Sequence, residues 1–161
     1  MLLRRGLAAL LLAAIIVAVG LATPVPVLAL TDGVTSRVVW LDDGDRYLYS
    51  HVDPATGAQV DERHLRSSDR LRVGTIRATD RRVLEALGWP GEIRSVAGGF
   101  EADAPKNEQR RLELHVSARE RQRLTAPGWT LDLYALYGDA TVLASAERVP
   151  LLTALQRGWR P

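Results

Sequence analysis

Three histidines occur in the chain, His51, His64 and His115, and two of them fall in segments that read as neighbouring strands. Residues 46–52 (RYLYSHV) and 58–65 (AQVDERHL) flank Asp53-Pro54-Ala55-Thr56-Gly57, a turn with proline where a fixed φ is wanted and glycine where φ turns positive. A four-residue loop, 54–57, sets Asp53 opposite Ala58. Counting back from there puts Tyr49 opposite Glu62 and Tyr47 opposite His64, with His51 one step along the same face. The candidate ligand-binding residues are therefore Tyr49, His51, Glu62 and His64. Such a group could bind a carboxylate or a sugar through hydrogen bonds, hold a metal weakly, or present a histidine as a general base oriented by Glu62. All of this rests on register, because a slip of one residue sends every side chain to the other face. The competing reading makes the four ordinary half-exposed polar residues on the wet face of a meander.

No catalytic residue and no metal site is assigned. Ser50 adjoins His51, but neighbours in a strand point to opposite faces and cannot form a hydrogen-bonded pair there. No HExxH or comparable ligand spacing is present, and nothing matches a dinucleotide or phosphate-binding loop, so no cofactor is expected. The acidic turn at Asp42, Asp43 and Asp45 lacks the downstream glutamate of an EF-hand and reads as hairpin punctuation.

The elements that must position these residues are mostly strands. Short alternating runs separated by Asp, Gly and Pro clusters predict strands over 34–41, 46–52, 58–65, 70–78, 110–116, 129–136 and 141–149. The first four read as a meander. Val83, Leu84 and Leu87 share a helical face, with Thr79 available as a cap and Gly88-Trp89-Pro90 as a stop. Leu151, Leu152 and Leu155 have helical spacing near the end. Phe100, Trp40, Trp89 and Trp129 are assigned to the core, and Trp159 to an interface. The expected fold is mainly β: a small antiparallel β-sandwich or partly open β-barrel with one or two short helices, preceded by a hydrophobic leader helix.

Composition bounds the function. The chain has 161 residues, 47% hydrophobic and 25% charged, enough for one modest globular domain. It has no cysteine, which removes disulfide-stapled, zinc-finger and iron–sulfur classes. The formal charge is +2, and both excess positive charges, Arg4 and Arg5, precede an uncharged run from Gly6 to Leu30. Elsewhere acids and bases balance and interleave, so a nucleic-acid partner is not expected.

Residues 1–30 read as a signal peptide or an uncleaved transmembrane anchor, with cleavage after Ala22 or Ala29, and 31–161 as a single exported domain. Pro24 and Pro26 should break the helix near its outer end. Arg4 and Arg5 hold the N-terminus in the cytoplasm, which places the domain in the periplasm or at the cell surface.

Tyr49-Ser50-His51-Val52, Val60-Asp61-Glu62, Gly88-Trp89-Pro90 and the stretch LELHVSARERQRLTAPGWTLDLYALYG resemble a family of small exported bacterial and archaeal proteins often encoded beside TRAP-type uptake systems of the TAXI class. That family has a serine after the histidine, where this chain has Val52, and a longer glycine segment than Gly88-Trp89-Pro90. The resemblance implies an exported β-domain linked to solute uptake, with His51 and Glu62 at matching positions, and it brings no known activity. The leading expectation is a non-enzymatic binding or accessory domain whose partner is an envelope or membrane protein, such as a transporter component, or a small solute. The alternatives are a small envelope hydrolase or metal-dependent enzyme using His51, Glu62 and His64, and a structural or assembly subunit of a membrane complex.

Overall fold

The computed structural model describes residues 2–88 and 91–158, with side chains of the first helix described from Leu10 onward. In chain order the elements are α1 (Leu2–Ala22), β1 (Pro24–Thr31), β2 (Ser36–Trp40), β3 (Arg46–Val52), β4 (Gln59–Ser67), β5 (Arg70–Ala78) and α2 (Arg81–Ala86). There follow β6 (Arg94–Val96), β7 (Gly99–Asp103), β8 (Glu108–Gln109), β9 (Arg111–Val116), β10 (Arg123–Ala126) and β11 (Trp129–Asp132). α3 (Leu133–Tyr137), β12 (Ala140–Pro150) and α4 (Leu151–Arg157) complete the chain.

Among the described residues the strands form two antiparallel sheets and no closed barrel. One has the order β2-β1-β12-β9, and the other runs β11-β10-β3-β4-β5-β7-β6 with β8 alongside β5. The largest apolar cluster joins them: Leu28, Leu30 and Val142 from the first sheet pack with Tyr47, Tyr49 and Leu124 from the second. Each fully buried leucine contributes about 1.5–3 kcal/mol, so this shared layer is the main force holding the sheets together. A smaller cluster of Val60, Ile76, Ala78, Leu84 and Ala102 lies where α2 covers β5 and β7, and Phe100 packs half-buried against it.

The first departure from expectation is β1. Residues 24–30, read from sequence as the end of the leader, form a strand between β2 and β12, and Val27, Leu28 and Leu30 are fully buried. A strand covered on both faces is a continuous apolar run, and so is the end of an export leader, so composition does not separate the two. Pro24 and Pro26 lie ahead of the stretch paired with β2, where only β12 runs alongside.

The second departure follows from the first. β2 pairs with β1 and not with β3, so the expected four-strand meander is the three-strand β3-β4-β5. The acidic turn still turns, with Asp45 N–H donating to Asp42 O and the Asp45 carboxylate accepting from Asp42 N–H, but it carries the chain from one sheet to the other. Three short helices follow α1 among the described residues, where one or two were expected. The extra one, α3, replaces the end of the strand predicted over 129–136. Asp132 starts it by accepting a hydrogen bond from Ala135 N–H at 2.9 Å. α2 forms as expected but is capped by Asp80 in place of Thr79. Trp40, assigned to the core, is 47% exposed, and Trp129 is half-buried with its indole N–H on Trp40 O at 3.0 Å. The expectations for Trp89, Pro90 and Trp159 lie outside the described residues.

Candidate functional site

The β3–β4 hairpin has the register its turn chemistry implies. The Asp53 carboxylate accepts from Thr56 N–H and Oγ1, Gly57 adopts φ +71°, and Asp53 N–H bonds Ala58 O at 2.8 Å. Tyr47 therefore pairs with His64, Tyr49 with Glu62 and His51 with Val60. The face they share is not a wet one. Tyr47, Tyr49 and His64 are buried, and the row Val60, Glu62, His64 and Arg66 on β4 faces inward beside them.

β5 continues this inward face only because of a bulge. Arg63 pairs with Thr75 and His64 with Val73, which leaves Gly74 as an extra residue. Leu71 and Val73 before the bulge and Ile76 and Ala78 after it consequently turn to the same side. The bulge sits beside His64 and sets which β5 side chains surround it.

Ionisable groups on an inward face need partners. Arg66, 1% exposed, finds four backbone carbonyls: Nη1 donates to Val27 O at 2.8 Å and Leu41 O at 2.6 Å, Nη2 to Glu147 O at 2.8 Å, and Nε to Ser68 O at 3.2 Å. It ties β4 to β1, to β12 and to the end of β2 in the other sheet, and is structural. His64 Nε2 lies 3.1 Å from Glu62 Oε2, and since a carboxylate only accepts, Nε2 carries the hydrogen. The rings stack in pairs, Tyr47 on His64 at 4.9 Å and Tyr49 on His51 at 5.0 Å, with Tyr49 edge-on to His64 at 6.3 Å.

Three buried polar atoms in this cluster have no partner: Tyr47 Oη, His51 Nδ1 and His64 Nδ1. Burial, with the Glu62 charge adding to it, drives the Tyr47 and Tyr49 phenols far above their ordinary value, so both stay protonated. Burial pushes the His51 imidazole below its ordinary value, against the pull of Glu62, Glu120, Asp53 and Asp61, so its ring is neutral at neutral pH.

A cleft of about 260 Å³ opens along the cluster, and Tyr49, His51, Glu62 and His64 all line it. β9 adds Glu113 and His115, which are exposed and lie 3.8 Å apart at the mouth, and the loop before β10 adds Glu120. Gln122, fully buried, braces that loop: its Nε2 donates to Glu120 Oε2 and His115 O, and its Oε1 accepts from Ser117 N–H. Val52 N–H bonds Glu120 O at 2.7 Å, which ties the loop to the end of β3. A second cleft, of about 240 Å³, shares His51 and Glu62 with the first and is walled by Val60, Ile76, Val83 and Leu87.

Sequence reasoning found the hairpin half of this site and missed Glu113, His115, Glu120 and Gln122. These come from the other sheet and its connecting loop, through contacts that no local pattern encodes. Among the described residues no three His, Asp or Glu side chains converge closely enough to hold a metal ion. No protein-family model, curated protein or solved structure matches the chain.

Proposed function

We propose that the chain is an exported β-sandwich domain, held at the membrane by its N-terminal segment, that binds a small solute non-enzymatically as an accessory to uptake. The observation that carries this reading is the inward row Glu62–His64 with its stacked tyrosines, bordering an open cleft in whose wall His51 and His64 each have an unpartnered ring nitrogen. A protein that needed this face only for packing would fill it with apolar side chains, because each unpartnered buried polar atom costs about 1–3 kcal/mol. Unpartnered groups in a cleft wall are the mark of a site that a ligand completes.

The location rests on the N-terminal segment. Side chains of α1 from Leu10 to Val19 include Leu10, Leu12, Ile15, Ile16 and Val19, each more than half exposed, a surface that needs an apolar surrounding. Among the described residues no helix is long and apolar enough to cross a membrane, the described side chains of α1 being those of residues 10–22. In the sequence the uncharged run from Gly6 to Ala22, behind Arg4 and Arg5, reaches the lower end of spanning length. The resemblance to the exported family linked to TAXI-type uptake systems supports the same placement and the choice of a transporter component as partner.

A second reading, a structural subunit of a membrane complex, is favoured by one observation: Leu152 and Leu155 on α4 are both nearly half exposed, and α4 contacts α1. The two separate in a thermal-shift panel of small ammonium, carboxylate and sugar solutes on the full-length chain in detergent. A binding domain should show a rise in Tm with at least one class, lost in Glu62→Gln; no shift with any class would leave the structural reading.

A further inference from the structure

Resting on the binding reading above, we propose that the cleft takes a small organic ammonium ion whose apolar body lies in the adjoining second cleft. The argument starts from charge. The chain carries twenty arginines and one lysine, yet among the described residues none of them lines the first cleft. Besides the Tyr49 phenol, which burial keeps protonated, its ionisable lining is three carboxylates, Glu62, Glu113 and Glu120, and three histidines, His51, His64 and His115. A carboxylate ligand would meet three like charges with no arginine or lysine in the lining to offset them. A cation meets the opposite field, focused by the apolar walls of Val73, Leu112 and Leu114.

Hydrogen-bond capacity points the same way. Nε2 of His64 is committed to Glu62, and its Nδ1 is unpartnered on a side chain that is 3% exposed. His51 Nδ1 is likewise unpartnered. The three carboxylates supply acceptors only, and an ammonium group is all donors. The Tyr49 ring adds a π face of the kind that attracts an ammonium. The second cleft meets the first at His51 and Glu62 and offers Val60, Ile76, Val83 and Leu87, which suits a short apolar group attached to the charged head. Its one cation, Arg82, is held by Asp80 at 2.6 Å.

The test is calorimetric titration of the full-length chain in detergent micelles at neutral pH. The probes are 2-phenylethylammonium, the matched carboxylate 3-phenylpropionate, and zinc chloride. The ammonium should bind and the carboxylate should not. Glu62→Gln, which keeps an acceptor for His64, should weaken ammonium binding by about tenfold or more, while Glu108→Gln, outside the lining of both clefts, should leave it unchanged. Tighter binding of the carboxylate would overturn the ligand class and leave the binding reading standing. Zinc that binds and blocks the ammonium would overturn it in favour of a metal site. No binding of either organic probe to folded protein, with no solute active in the thermal-shift panel, would overturn both.

Discussion

Arg66 brings a full charge to the junction of the two sheets and meets carbonyl oxygens of Val27, Leu41, Ser68 and Glu147. Guanidinium geometry makes this workable, since its planar fork can reach several acceptors at once where an ammonium would reach fewer. Removing it strands the carbonyls of Val27 and Leu41 in a dry layer. Arg66→Ala should lower unfolding stability by about 3 kcal/mol or more, read as a shift in denaturant midpoint; a loss under about 0.5 kcal/mol would show that the carbonyls find other partners. The sequence gives no sign of this role, because one arginine among twenty carries no mark of burial. Tyr49, His51, Glu62 and His64 were legible for the opposite reason: the Asp-Pro-Ala-Thr-Gly turn is specific enough to set the register, and register alone decides which side chains share a face. What the turn could not say was which face looks inward. The polar character of the row suggested solvent, whereas the aromatic stacking of Tyr47 and Tyr49 turns it toward the other sheet.

At the scale of elements, the bulge at Gly74 holds β5 in phase with β4 along its whole length. Leu71 and Ile76 lie an odd number of residues apart, so a regular strand would point them to opposite faces. Deleting Gly74 should therefore turn one half of β5 outward and expose either Leu71 and Val73 or Ile76 and Ala78. The expected result is a folding defect or a loss of several kcal/mol, measured by thermal unfolding of the deletion variant beside Gly74→Ala. The alanine variant meets only an ordinary contact with Arg63 O and should unfold close to wild type. Equal stability of the deletion and the parent would mean that the bulge does not set the phase. β5 was expected from alternation at Leu71 and Val73, and its bounds match, but the bulge was invisible because Gly74 in a strand pattern also fits a plain strand. α3 was missed through similar ambiguity: Trp129, Leu131 and Leu133 alternate, and the cap at Asp132 starts a helix at Leu133, inside the strand predicted over 129–136.

For the molecule as a whole, β1 decides where the folded unit starts. It supplies Val27, Leu28 and Leu30 to the interior, pairs with both β2 and β12, and provides one of the Arg66 acceptors. Of the two cleavage sites expected from the leader, only the one after Ala22 leaves this strand intact. A chain beginning at Thr23 should fold cooperatively, whereas one beginning at Leu30 should be unfolded or aggregate, as circular dichroism and gel filtration would report. Cooperative folding of the shorter chain would show that the second sheet and its clefts do not need β1. The same strand explains why the leader and the domain could not be separated by composition, since both are uncharged and apolar up to Leu30.

The first cleft needs the two sheets together, because β3 and β4 provide Tyr49, His51, Glu62 and His64 while β9 provides Glu113 and His115. Whether this face is a binding site is read most directly from the histidine ring nitrogens of the full-length chain, by nitrogen-15 NMR before and after adding 2-phenylethylammonium. His64 should appear with its hydrogen on Nε2, and the ring signals of His51 and His64 should move as the ligand loads. Ring signals that stay fixed up to millimolar ligand in the folded protein, with the His64 hydrogen on Nδ1, would contradict the binding site.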